Sequence, residues 1–103
     1  MAHETAMFTL RQAARPSALR TRLNITVPTV VSARPGWLLT VSVVRAGTWP
    51  GAIYDHDTIE GIGTATTIAT IPAAIDIHHI RWLCEFGIVV VPGVGQTLAV
   101  TYA

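Results

Sequence analysis

Asp55, His56 and Asp57 stand side by side, and all three side chains can bind a metal or move a proton. Two carboxylates around an imidazole suit a divalent cation or general acid–base work. The backbone argues against a single centre. In an extended segment Asp55 and Asp57 point one way and His56 the other. Three ligands on one ion would need a turn, with help from elsewhere in the chain. Aspartate is also a common turn residue, because its carboxylate accepts hydrogen bonds from backbone amides. The triplet is therefore expected to shape a turn, with Asp55 capping it.

His78-His79 is the next pair. Neighbours in a strand face opposite sides, so the two cannot share an ion without a bulge. One of them could join His56 only if the two segments meet, and a zinc site needs three or four ligands with supporting partners. One histidine is expected at the surface and one at a subunit contact. Cys84 is the single cysteine, so no internal disulfide forms. It has no Cys-x-x-Cys partner and reads as an inert core thiol. Ser17, Ser32 and Ser42 sit in no Gly-x-Ser-x-Gly elbow. Gly93-Val94-Gly95 lacks the third glycine and following helix of a dinucleotide loop, and reads as a hairpin turn. No catalytic residue, metal ligand or cofactor is assigned, and the chain is not expected to be an enzyme.

The aromatic residues offer a different chemistry. Trp37, Trp49 and Trp82, with Tyr54 and Tyr102, could stack on sugars, fill a core or line an interface. Trp49, beside Pro50 in a glycine-flanked loop, is the best exposed candidate and is assigned a partner contact.

These residues must be positioned by short strands. Ile25 and Val27 alternate with Asn24 and Thr26, a period of two. Pro28 makes that strand an edge or marks a bulge. After the turn at Arg34-Pro35-Gly36, Trp37, Leu39, Val41 and Val43 alternate with Leu38, Thr40, Ser42 and Val44. The first set is expected to face the core, with Val41 and Val43 buried between two sheets. Further strands are expected at 52–54, 64–71, 75–82, 88–91 and 96–102. In 75–82 the hydrophobic phase changes near His78-His79, which suggests a bulge. Seven or eight short strands, with turn signals every 8 to 12 residues, predict an all-β antiparallel sandwich of jelly-roll or Ig-like type.

Composition bounds the rest. The chain has 103 residues, enough for one domain. Half of them are hydrophobic and only 13% are charged, about half the usual share. So sparse a charge predicts a surface covered by a partner or by copies of the same chain. No apolar run is long enough to span a membrane, and no secretory h-region opens the chain. The net charge of +1 argues against specific nucleic-acid binding. All seven cations are arginine, and four of them, Arg11, Arg15, Arg20 and Arg22, lie in the first 22 residues. Residues 1–22 are read as a basic arm and residues 23–103 as the sandwich. Arginine forms bidentate pairs with carboxylates, so these four are assigned, with Trp49, to partner binding.

The order "PGWLLTVSVVRAGTWPGAIYD", "TATTIATIP" and "FGIVVVPGVGQTLAVTYA" resembles small β-sandwich virion proteins of tailed bacteriophages. Pro35-Gly36, Tyr54-Asp55, Ile68 to Ile71, Gly87 to Val91 and Val100 to Tyr102 carry the likeness. It covers Leu23 to Ala103, and its motifs are structural. "HDTIEGIG" after Tyr54-Asp55 departs from the short bland loop of such proteins. The resemblance implies a structural role in the virion, in head or tail alike, in a protein made in the host cytoplasm; the low charge content and the basic arm point to the outer surface of the head. The expected partners are the major capsid protein and other copies of the chain in a homo-oligomer, a trimer being one such arrangement. The leading expectation is a capsid decoration (cement) protein. The alternative is a tail or fibre module that binds host-surface glycan through exposed aromatics.

Overall fold

The structure is a computed structural model, and it describes residues 19–103. Arg11 and Arg15 therefore lie outside the described residues. Eight strands follow in chain order: β1 (Arg20–Ile25), β2 (Thr29–Ser32), β3 (Gly36–Arg45), β4 (Gly51–Tyr54), β5 (Thr67–Ile71), β6 (Asp76–Cys84), β7 (Ile88–Val91) and β8 (Thr97–Tyr102). The described residues are all-β, as the turn spacing predicts. A single 3-10 turn, Thr64–Thr66, replaces the first residues of the strand expected at 64–71.

The strands form two four-stranded sheets with orders β1-β8-β3-β6 and β2-β7-β4-β5. Every pairing is antiparallel. Strands 1 and 8, 2 and 7, 3 and 6, and 4 and 5 pair like one long hairpin, which is then wrapped so that β8 meets β3 and β7 meets β4. That wrapping defines a jelly roll and excludes the Ig-like alternative. The β1–β8–β3–β6 layer is called sheet A below, and the other sheet B.

The core lies between the layers. Val41 and Val43 of β3 are fully buried, as expected, with Leu98 and Val100 of β8, Ile53 of β4 and Ile88 and Val90 of β7. The first half of β3 departs from the expected face. Leu38 is buried, whereas Trp37 is exposed. The pairing register of β3 shifts between Leu38 and Thr40 against both neighbours. An extra residue there flips the alternation, so Leu38 and Val41, three apart, both point inward. In β6 the irregularity sits between His79 and Trp82, where Arg81 has a φ of 54°. That is next to the phase change expected at His78-His79.

The first strand also differs. It begins at Arg20, three residues before the expected arm boundary, and pairs Arg20 with Tyr102 and Arg22 with Val100. Arg20 and Arg22 therefore belong to the sandwich and not to an arm. Residues 20–24 of β1 are all exposed, which tolerates arginine because β1 is an edge strand. Ile25 is buried but Val27 is 62% exposed, outside any strand. Asn24, with a φ of 55°, breaks the expected alternation. Asparagine is among the few non-glycine residues that accept this conformation at small cost.

Candidate functional site

The Asp55 carboxylate caps a turn, but not its own. It accepts hydrogen bonds from the backbone amides of Glu85 (2.9 Å), Phe86 (2.9 Å) and Gly87 (3.3 Å). These three residues form the turn between β6 and β7, so Asp55 clamps the end of sheet A to the start of a sheet B strand. Burial alone would raise the Asp55 pKa. The three amides and the neighbouring His56 outweigh it and hold the carboxyl below its ordinary value. Gly87 must be glycine, because a Cβ there would press on the carbonyl oxygens of Ser32 and His56.

His56 and Asp57 fold back on their own loop. The His56 Nδ1 lies 3.1 Å from the Thr58 amide and 3.1 Å from an Asp57 carboxylate oxygen. Both contacts cannot be hydrogen bonds at once. A bare Nδ1 accepts from Thr58, and a protonated one donates to Asp57. The imidazole ring covers Gly61, where any Cβ would collide with it. Among the described residues, no three His, Cys, Asp or Glu side chains converge as metal ligands. Asp55, His56 and Asp57 thus occupy a turn, as the local sequence suggests.

The two histidines of β6 face opposite ways. His78 pairs with Val41 on the inner face, and His79 pairs with Thr40 on the outer face. The His79 Nδ1 lies 3.4 Å from the Thr40 hydroxyl. The His78 Nε2 is buried without a hydrogen-bond partner. Neither is near enough to His56 and a third ligand to bind an ion. Cys84 is fully buried. Burial, and secondarily the charge of Asp55, push its thiol pKa up to about 12. A thiol so protonated is no nucleophile.

Trp49 lies at the opposite end of β4 from Asp55 and is 66% exposed. The Thr48 amide donates to the Val94 carbonyl and the Gly47 amide to the Ala73 carbonyl, so the segment leading into Trp49 is tied to two neighbouring loops. Gln96 underlies this end. It is buried, its Oε1 accepts from the Gly93 amide, and its Nε2 donates to the Pro72 carbonyl. Sequence reasoning placed Gln96 only as the start of a strand. Its signal was a lone glutamine flanked by the glycine turn and an apolar strand.

The other two tryptophans are also at the surface, Trp82 at 51% and Trp37 at 46% exposure. None of the three fills the core. On the outer face of sheet A, Trp37 pairs directly with Leu83, Thr40 with His79 and Ser42 with Ile77. Leu83 and Ile77 are exposed, and none of these six side chains is acidic. An antiparallel sheet with one face on the core normally turns a polar face to water. This one turns tryptophan, leucine and isoleucine.

A groove opens at one end of each open side of the sandwich. One, about 450 Å3, lies where the start of β1 meets the end of β2 and the turn after it, and is lined by Arg20, Ser32, Arg34 and Tyr102. The other, about 270 Å3, runs between β5 and β6 and is lined by Asp55, Thr67, Trp82, Glu85 and Phe86. Arg20 therefore faces a groove, whereas Arg22 is exposed on the same edge strand.

Comparison with family models, curated proteins and solved structures finds no match to this chain. The geometry defines it as an all-β jelly-roll sandwich whose exposed features are apolar faces and edge grooves.

Proposed function

We propose that this protein is a virion structural protein of the tailed-phage type, a decoration protein that binds the major capsid protein on the outside of the head. Its work is binding, not catalysis. The observation that carries this reading is the outer face of sheet A. Exposed Trp37, Leu83 and Ile77 lie on it among threonine and serine, with no acidic side chain at the six paired positions. Such a patch is costly to leave in water and fits a protein that is covered when assembled. Jelly rolls recur in viral shells, an analogy at the level of fold that agrees with the sequence resemblance. A cement protein needs a rigid body with apolar surface that bridges neighbouring capsomers, and the clamped sandwich supplies one.

The test is a pull-down with purified heads or capsid protein. Ile77→Asp and Leu83→Asp, outward changes that leave the core intact, should abolish binding to heads while the chain stays folded. Unchanged binding would overturn the assignment of this face.

A second reading, a tail or fibre module for host glycan, is favoured by one observation: Trp49 is held exposed by a pinned loop. Binding on a glycan array that is lost in Trp49→Ala would favour it over the capsid reading.

A further inference from the structure

The two open edges of the sandwich carry opposite charge. Arg20 and Arg22 stand on β1, and Arg34 joins Arg20 at the groove beside it. Among the described residues no Asp or Glu lines that groove or lies in β1 or β2. The other edge carries Asp76 on β6, with Asp55 and Glu85 at its groove, against one cation, Arg81. Exposed Trp82 and Phe86 lie between those acids.

We propose that copies of this chain associate head to tail, the β1–β2 edge of one against the β5–β6 edge of the next. Pairing either edge with its own kind would set like charges face to face, which disfavours a two-fold contact. The opposite edges are complementary, so the interface is heterologous and extends to a ring or a filament.

The strand directions permit this. Sheet A is antiparallel throughout, with β1 at one edge and β6 at the other, so β1 runs opposite to β6. A neighbour set beside the sheet continues it as an antiparallel layer. Sheet B has the same property, with β2 opposite in direction to β5.

The heights match as well. Arg20, Tyr102, Leu38 and Trp82 form one rung across sheet A. Arg22, Val100, Val41 and His78 form another, and Ile25, Leu98, Val43 and Asp76 a third. With no slide along the strands, Arg20 meets Trp82 of the next copy, where a guanidinium stacks on an indole face. Arg22 then lies one pair away, on the same face, from Asp76 of that copy, within diagonal reach. Arg34 lies two residues before Gly36, whose rung partner is Cys84, so the register continues to Phe86 at its level and puts Glu85 of the neighbour one residue away.

Both edge strands carry one left-handed residue, Asn24 and Arg81. Such irregularities interrupt main-chain pairing at open edges. The contact therefore depends on its side chains, and reversing their charge should break it.

This inference does not rest on the capsid reading, because it concerns the purified chain alone. The experiment is sedimentation velocity on the full chain and two double variants. One is Arg20→Glu with Arg34→Glu, which makes both edges acidic. The other is Asp76→Arg with Glu85→Arg, which makes both edges basic. The wild type should self-associate at low salt and dissociate as salt rises. Each variant alone should lose association at least tenfold, and an equimolar mixture of the two should restore it, since each then offers the complement of the other. Near-UV circular dichroism establishes that both variants are folded. A wild type that stays monomeric at low salt would overturn the proposal. So would a variant that associates as the wild type does, or a mixture of folded variants that remains monomeric.

Discussion

Asp55 shows what a single side chain does here. It is the shared acceptor of three amides from one turn, 30 to 32 residues ahead in the chain. Asp55→Ala should lower stability by about 1–3 kcal/mol, because three donors lose a charged acceptor. The pH dependence has a definite sign. The folded pKa lies below the ordinary carboxylate value. The stabilisation is therefore complete above roughly pH 4 and is lost as the pH falls through the lower, folded value. Urea denaturation of wild type and Asp55→Asn should show a constant gap from pH 5 to 7 that narrows below about pH 4. A gap unchanged down to pH 2 would contradict this. That Asp55 caps a turn was legible from its residue type. Which turn it caps was not, because the partner amides belong to a segment that only the fold brings close. The same holds for Gln96, whose two buried hydrogen bonds link Gly93 and Pro72.

At the scale of the strand, β3 and β6 explain most of the departures. "WLLTVSVV" is hydrophobic on both parities at its start, so local alternation cannot choose between Trp37 and Leu38 as the core residue. The register shift after Leu38 chooses, and it is set by pairing with β6 and β8. From sequence alone the start of β1 looks like an arm for a similar reason. Its arginines become strand residues by pairing with β8, at the far end of the sequence. On β6, the inner-face His78 buries an Nε2 with no partner. An unsatisfied buried group costs about 1–3 kcal/mol, and an apolar replacement of similar size removes that cost. His78→Leu should therefore stabilise the sandwich, read as a higher midpoint in urea at pH 7. A lower midpoint would show that the imidazole makes a contact worth more than its burial.

At the scale of the molecule, the all-β class was legible because turn residues recur at short, even spacing. The jelly-roll order was not, since strands 1 and 8 or 2 and 7 are paired by wrapping and leave no local trace. The exposed side chains follow from both. Alternation places Ile77, Leu83 and Trp37 outward, and the topology gathers them on one face. On the proposed function, this face is covered in an assembled particle. A cryo-EM density map of intact phage particles tests it most directly. Density for this sandwich is expected on the outer surface of the head, with the β3–β6 face of sheet A against the major capsid protein. Heads without such density, or density with that face turned to solvent, would contradict it.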